Sequence, residues 1–327
     1  MNTFKSLLLG GATATTLAFG ALPALAQDYP SEPIHIVVVW PAGGGHDIAA
    51  RLLGEGLSTI LDTPVVIDNI TGAGGATGMR HLENAKPDGY TIGVMGMHAV
   101  SQSFMNTNAT PLANIEPLAY VSDEPGALQV TASTGIETLD DYVAAMKADP
   151  SAIINGNDPQ GGNSFVFANV MEDALDIEVI QIPYAGHAPN VTALITDEVG
   201  SATLPVPPVL EHHRNGTVKI LGVMSNERHH LLPDVPTFKE QGYDVVANDF
   251  LMVVGPVGIP EDVKATLGAG LLEAVNSDGF REKASANGMV LRPGNAAMAA
   301  EELARQVDTI YPLLNAAGLV KPELTRK

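Results

Sequence analysis

Residues 43–45 are three consecutive glycines, and they open the first candidate binding loop of this chain. They follow the apolar segment 36–39 and precede His46 and Asp47, after which apolar residues recur at helical spacing. Glycine lets the backbone turn sharply and expose its N–H groups, and N–H groups at a helix start attract anions. A plain strand-to-helix turn is the alternative, but three glycines exceed what a turn requires. We therefore predict an anion-binding loop in which Asp47 caps the helix.

Two polar, glycine-bearing segments in the second half of the chain are similar to this loop. They are residues 155–164 and 183–187, and a helical pattern follows each of them. Glycine loops in both halves predict a ligand clamped between two lobes. His98 and His187 are expected in loops that face this cleft, where each would either donate to a ligand oxygen or be satisfied within its own loop.

Sequence signatures of nucleotide binding, catalysis and metal binding are incomplete. Residues 72–78 miss the G-x-G-x-x-G spacing by one position, and residues 162–166 lack the second glycine of a nucleophile elbow. The adjacent pairs His212-His213 and His229-His230 should point their rings apart, which disfavours a shared metal ion. No cofactor and no metal site is predicted.

Apolar periodicity predicts the elements that position these loops. Strands alternating with helical patterns indicate an α/β protein with parallel strands in its first sixty or so residues. The main predicted elements are strands at 36–39, 65–69, 90–95, 118–121, 128–130, 153–154, 179–182, 218–223 and 251–254, a polar loop at 96–114, and helices starting near 48, 138, 164, 189, 260 and 298. Residues 126–246 are predicted to form an inserted second lobe, and residues 27–125 with 247–327 the first.

An N-terminal targeting segment and an acidic composition limit the function further. Lys5, the apolar stretch 7–22 and the A-x-A sequence 24–26 predict a signal peptide over residues 1–26, cleaved after Ala26. No later stretch is long and apolar enough to span a bilayer, so we expect an exported, soluble protein. The formal charge of −20, or −21 without Lys5 (16 basic against 37 acidic residues), excludes a nucleic-acid surface. The absence of cysteine excludes disulfides and thiol chemistry.

Five ordered motifs spread over the predicted mature chain resemble those of one family, the periplasmic solute-binding proteins of tripartite tricarboxylate transporters (Bug or TctC type). That family carries a P-x-G-G-x-x-D-x-x-A-R loop, which residues 41–51 match with one extra glycine, Gly45, at the first variable position after the glycine pair. The other four matches are G-A-G-G-x-x-G with P-D-G-Y-T at 72–78 and 87–91, P-Y-x-G at 183–186, L-P-D-V-P-T-x-x-E-x-G at 232–242, and A-P-x-G-x-P at 255–260, where glycine replaces the alanine.

The resemblance implies a two-lobed binding protein of type II-like fold, each lobe a sheet flanked by helices, with crossover strands between the lobes. It implies a monomer without catalytic activity in the periplasm, which grips a small di- or tricarboxylate or an aromatic carboxylate and delivers it to membrane permease subunits. Loop amides would hold one ligand carboxylate, and Arg51 would form a structural ion pair. Carried over by position, the ligand-binding residues are Trp40, Ala42, Gly43, Gly44, Gly45, His46, Asp47, Met97, His98, Ala99, Asn157, Gly161, Gly162, Asn163, Ser164, Tyr184, Ala185, Gly186, His187, Thr203 and Phe250.

This sequence departs from the family pattern at several of those positions, which leaves the identity of the carboxylate open. His46 replaces a small or hydroxyl residue, Trp40 a smaller aromatic residue and Thr203 an apolar one, and Phe250 stands where tryptophan is frequent. Two other functions remain possible from the sequence alone. An exported acid–base enzyme would use His46 and Asp47 on a small carboxylate, and a ligand-sensing module would dock a receptor instead of a permease.

Overall fold

The structure is a computed structural model that describes residues 29–326, so the predicted signal peptide lies outside the described residues. In chain order its strands and helices are β1 (Ile34–Val38), α1 (Gly45–Leu61), β2 (Val65–Asn69), α2 (Ala76–Glu83), β3 (Thr91–Met95), α3 (Met97–Met105), β4 (Ile115–Thr131), α4 (Leu139–Ala148), β5 (Asn155–Asn157), α5 (Asn163–Leu175), β6 (Gln181–Pro183), α6 (His187–Ile195), β7 (Ser201–Pro205), α7 (Leu210–Arg214), β8 (Val218–Val223), β9 (Asn248–Pro256), α8 (Glu261–Asn276), α9 (Asp278–Ala286), β10 (Val290–Asn295) and α10 (Ala296–Ala316). Within residues 29–326, no helix combines the length and apolarity that crossing a membrane requires.

The long strand β4 connects the two halves of the molecule. Residues 115–125 of this strand pair antiparallel with β9, and residues 126–131 pair with β7 and β8. The resulting sheet has the order β2-β1-β3-β9-β4-β7-β5-β6, with β8 and β10 also paired to β4. The predicted α/β fold, with two helix-flanked sets of strands joined by crossing strands, is confirmed. The predicted boundaries at 126 and 246 remain a prediction, and lobe I and lobe II denote those predicted ranges below.

The core explains why the apolar runs form the central strands. Ile34, Ile36 and Val38 of β1 are fully buried, as expected for a parallel strand covered on both faces. One apolar cluster packs α1 and α8 against β1, β3 and β9, and another packs α6 and α7 against β7 and β8. A third cluster extends from β3 and α3 to α5 and α10 and includes residues of both lobes.

Two sequence predictions about residues 96–130 are wrong. The polar loop predicted at 96–114 contains helix α3, and the strands predicted at 118–121 and 128–130 are parts of the single strand β4. Register shifts between Pro117 and Ala119 and between Tyr120 and Ser122 let the strand continue past Pro117, because a bulge tolerates a residue that lacks an N–H donor. By contrast, the predicted capping box of α4 is present, with Thr138 and Asp141 bonding each other's backbone amides.

Candidate functional site

The glycine loop ends in a helix start whose amides are free. Helix α1 begins at Gly45, and the N–H groups of Gly44, Gly45 and His46 donate to no acceptor among the described residues. Gly43 has a φ of +89°, a conformation that favours glycine and makes the sharp turn into the helix possible. The helix dipole adds positive potential at these amides. The predicted glycine loop and helix start with free amides are therefore present, and anion binding there stays a prediction.

Asp47 does not cap α1 as the sequence predicts. Gly44 occupies the N-cap position, and Asp47 lies within the first turn. Its carboxylate accepts from the Gly43 amide at 2.9 Å, from Arg51 at 2.9 Å and from Asn69 at 2.9 Å. Burial alone would raise the pKa of Asp47, but these donors lower it overall. Asp47 thus fixes the loop through the expected ion pair with Arg51. Both of its carboxylate oxygens have hydrogen-bond partners in this arrangement.

Helix α6 of lobe II begins directly opposite the start of α1. A Cβ placed on Gly44 would lie 4.0 Å from the Cβ of His187, and one placed on Gly43 would lie 3.9 Å from the Cβ of Ala188. The amides of His187 and Ala188 also have no described acceptor. Two sets of free amides, one from each lobe, therefore meet across the cleft. Gly186 (φ +115°) makes this approach possible, since a side chain there would meet Pro41 at 3.0 Å.

The start of α3 is already occupied by a carboxylate of the chain itself. Asp249, at the start of β9, is fully buried and accepts from the amides of Met97 and Phe250. Its other oxygen lies 3.5 Å from Nε2 of His46. Burial alone would raise the pKa of Asp249, but His46 and the Met97 amide lower it to about 2. The amide of Met97, a residue that the family resemblance places among the ligand contacts, is thus used by Asp249.

The start of α5 links the two lobes. The Asn163 side chain donates from Nδ2 to Asp249 of lobe I, and its Oδ1 accepts from Nε2 of His187 at 2.8 Å. Asp158 accepts from the Ser164 amide at 3.0 Å, so it occupies the amide next to Asn163. These bonds fix the orientation of the Asn163 amide, because each of its two ends has an identified partner.

Two buried imidazoles form the floor of the cleft beside Trp40. His46 and His98 are 3% and 1% exposed, and the His98 ring meets the Trp40 ring edge-on with 5.5 Å between centroids. Burial alone lowers the pKa of His46, but Asp249, with Glu124 and Asp158, raises it overall. Burial and the nearby His46 lower the pKa of His98 to about 3. The neighbouring carboxylates thus favour a proton on His46, whereas burial disfavours one on His98.

The lobes are closed on one another in this structure. Ser101 donates to the carbonyl of Gly161, and the Gln102 side chain donates to the carbonyl of Gln160 at 2.8 Å. These two bonds join α3 of lobe I to the loop before α5 of lobe II. Gly44, Gly45 and His46 are buried in this arrangement, so their amides become more accessible only when the lobes separate.

Several residues predicted to contact ligand lie at the margin of this cleft or outside it. Tyr184 donates its hydroxyl to Glu198 at the surface, and Ala42 and Ala185 are exposed. Thr203 is buried behind α5, where it donates to the Ser164 carbonyl. The Phe250 ring stacks on Tyr120 in the core. The remaining predicted residues lie in the segments that meet at the cleft, namely Trp40, Gly43, Gly44, Gly45, His46, Asp47, Met97, His98, Ala99, Asn157, Gly161, Gly162, Asn163, Ser164, Gly186 and His187.

Three buried carboxylates in the cleft were missed from the sequence. They are Glu124 on β4, Asp158 before α5 and Asp249 on β9, each at most 1% exposed. The sequence offered one signal for Glu124 and Asp249, since each is an acidic residue next to an apolar strand. Among residues 29–326, no group of three or more histidines, aspartates and glutamates is arranged to hold a metal ion.

Comparisons with known proteins identify the family of this chain. Residues 49–319 match the family described as tripartite tricarboxylate transporter family receptor. BugT of Bordetella pertussis is 30% identical over 293 residues, which are 88% of this chain and 90% of BugT. The structure of the periplasmic binding protein BugD superposes with a TM-score of 0.86 at 27% identity, over 90% of this chain and 100% of BugD. MatC of Rhodopseudomonas palustris with bound malate gives a TM-score of 0.80 at 24% identity, over 86% of this chain and 100% of MatC.

These matches exclude one of the functions that the sequence left open. The family and the structures similar to this chain are binding proteins, which rules against the exported acid–base enzyme. The rings of His229 and His230, contrary to expectation, stack 4.5 Å apart, but they lie away from the cleft.

The chain belongs to the receptor family of tripartite tricarboxylate transporters, and it is a periplasmic solute-binding protein of the TctC/Bug type.

Proposed function

We propose that this protein captures a small organic carboxylate between its lobes and delivers it to the membrane permease of a tripartite transporter. One observation carries the proposal: the free amides at the starts of α1 and α6 meet across the cleft. Each set lies at the positive end of a helix dipole, where a carboxylate is stabilised without a lysine or arginine. In the family that this sequence resembles, one carboxylate of the ligand is held by such loop amides.

The malate bound by MatC is a small dicarboxylate, but the likeness to MatC is one of fold. The proposal for this chain therefore rests on its own amides. Family membership supports delivery to a permease, since the family is named for receptors of such transporters. We also propose that cleavage after Ala26 releases the chain into the periplasm, where it acts as a monomer.

Trp40 should report ligand binding. It is the single tryptophan of the chain, it is 9% exposed and contacts His98, and a Cβ on Gly186 of lobe II would lie 3.5 Å from its ring. A bound carboxylate that alters lobe closure should change its fluorescence and raise the melting temperature. Titration of the mature protein with a panel of mono-, di- and tricarboxylates tests this. A panel that changes neither quantity would count against the proposal.

The substitution Gly44→Pro should weaken carboxylate binding by about tenfold, because proline removes one free N–H at a charge-assisted contact. The φ of Gly44 is −81°, which proline can adopt, and this amide has no partner to lose within the described chain. Gly44→Ala is the matched control, since it keeps the N–H and adds a Cβ whose nearest neighbour is 3.7 Å away. Calorimetric titration of both variants distinguishes the effects. Equal affinity of the two variants would show that this amide does not hold the ligand.

A further inference from the structure

Glu124 is a buried carboxyl group without a partner, and it lies against the glycine loop. It is 1% exposed, and neither of its oxygens has a hydrogen-bond partner among the described residues. A Cβ placed on Gly45 would lie 3.3 Å from Oε2 of Glu124. The carboxyl group therefore lies beside the free amides at the start of α1. A ligand carboxylate bound by those amides would lie next to it.

Carboxyl groups of the chain itself occupy the starts of two other helices, and Glu124 differs from both. Asp249 accepts from the Met97 amide at the start of α3, and Asp158 accepts from the Ser164 amide at the start of α5. Glu124 lies beside the start of α1 but accepts from none of its amides. Because an ionised carboxylate is stabilised by helix-start amides, leaving them free is the behaviour expected of a protonated group. The amides of α1 then remain available to a carboxylate from outside.

The groups that face Glu124 from α1, α6, β4 and β9 include one strong carboxylate. Asp249 is its direct partner in the β4–β9 pairing, and two carboxyl groups that share a buried site do not both ionise readily. Burial alone would raise the pKa of Asp249, but His46 and a backbone amide lower it, so Asp249 is the ionised member. Burial raises the pKa of Glu124 to about 7, and Asp249 adds to the rise. His46, His187 and the Ser122 hydroxyl oppose it.

We propose that Glu124 carries a proton into the complex and donates it in a hydrogen bond to the ligand carboxylate, so that carboxylate binding is coupled to proton uptake. The proposal rests on the proposed function, in which the amides of Gly44, Gly45 and His46 receive that carboxylate. An O–H group that donates to a carboxylate forms a short, charge-assisted bond, whereas an ionised Glu124 would repel the ligand. Where Glu124 is ionised in the free protein, it takes a proton from the solvent as the ligand binds, and that proton stays on its carboxyl group.

The pH dependence of the affinity tests the proton. We measure calorimetric affinities for succinate, glutarate and butyrate from about pH 6.5 to about pH 9, a range in which their carboxylates are ionised. Above about pH 7 the dissociation constant should rise by up to about tenfold per pH unit, because each binding event then needs a proton. Titrations at about pH 8 in two buffers of different ionisation enthalpy should show the uptake of about one proton per ligand.

Two outcomes of these titrations separate the proton from the function. Unchanged affinity across the pH range, without proton uptake, would overturn the proton coupling and leave the carboxylate function standing. Binding of none of the three ligands at any pH would count against the carboxylate function itself, and the proton coupling would fall with it.

The substitution Glu124→Gln distinguishes Glu124 from the nearby histidines, since loss of a proton from His46 or His187 would also weaken anion binding as pH rises. Glutamine keeps an N–H donor at every pH. The variant should therefore bind within about threefold of the wild type at about pH 6.5 and about tenfold or more tighter at about pH 9. Its proton uptake at about pH 8 should be close to zero.

Glu116→Gln is the matched control on the same strand, where Lys264 binds the carboxylate at 2.7 Å outside the cleft. This control should keep the pH dependence of the wild type. If Glu124→Gln keeps it too, another group carries the proton and the proposal is refuted. A large loss of affinity in Glu124→Gln at about pH 6.5 would refute it as well, because a permanent donor would then have failed to replace the acid.

Discussion

Gly96→Ala should abolish ligand binding and lower the free energy of unfolding by about 3 kcal/mol, near the upper end for overpacking a buried site. Gly96 precedes α3 at the floor of the cleft. An added Cβ would lie 2.6 Å from Oδ1 of Asp249, 2.6 Å from Cε1 of His46 and 2.7 Å from the Phe250 carbonyl. The Phe250 contact is with backbone and cannot relax by a rotamer change. The φ of Gly96 is −139°, open to any residue, so the expected effect is steric and not conformational.

Gly279→Ala is the control for this substitution. Gly279 lies in α9, and a Cβ there would meet no atom within 4 Å. Alanine should therefore stabilise the helix by up to about 1 kcal/mol through its higher helix propensity. Urea unfolding of both variants, together with the carboxylate titration, measures the two effects. A Gly96→Ala protein as stable and as active in binding as the wild type would show that the floor of the cleft is looser than these distances imply.

The parts of the fold that follow one clear periodicity could be predicted from the sequence. β1 is an unbroken run of branched apolar residues, and α4 begins at a capping box, so each carried a local signal. Helix α3 was missed because it lies between the lobes. Its Ser101 and Gln102 are buried and donate to backbone carbonyls of lobe II. A helix whose polar residues are satisfied by another part of the chain has no solvent-facing polar side, and its pattern is read as a loop.

As with the fold, some features of the candidate site follow from the local sequence, and others arise only from the pairing of distant segments. Glycine loops before helices are local features, and both loops that meet across the cleft were identified. The carboxylates were missed because they become a cluster only through pairing of distant segments. Glu124 and Asp249 are 125 positions apart, yet β4 and β9 place them opposite one another. An anion site is also expected to present hydrogen-bond donors, so acidic residues are not the residue type that such a pattern brings forward.

Glu124→Gln should raise the stability of the ligand-free protein at neutral pH and leave it unchanged in acid. Burial raises the pKa of Glu124 from 4.5 to about 7, with Asp249 adding to the effect and His46, His187 and Ser122 opposing it. Near pH 4 the carboxyl group is protonated in both folded and unfolded chains, so it contributes nothing. As pH rises from 4.5 to 7, the unfolded chain ionises first and the folded state loses stability, by up to about 3 kcal/mol for this shift. Above pH 7 the loss stays constant.

Glutamine removes this loss, so the stability difference between variant and wild type should grow from near zero at about pH 4 to about 2–3 kcal/mol at about pH 8. Urea unfolding without ligand across this range measures it. Glu116→Gln should not reproduce the gain, because Lys264 already pairs with that carboxylate. A flat or reversed pH dependence would mean that Glu124 is solvated or paired in solution. A gain in stability together with a loss of carboxylate affinity would instead identify Glu124 as a group kept buried for binding at the expense of folding.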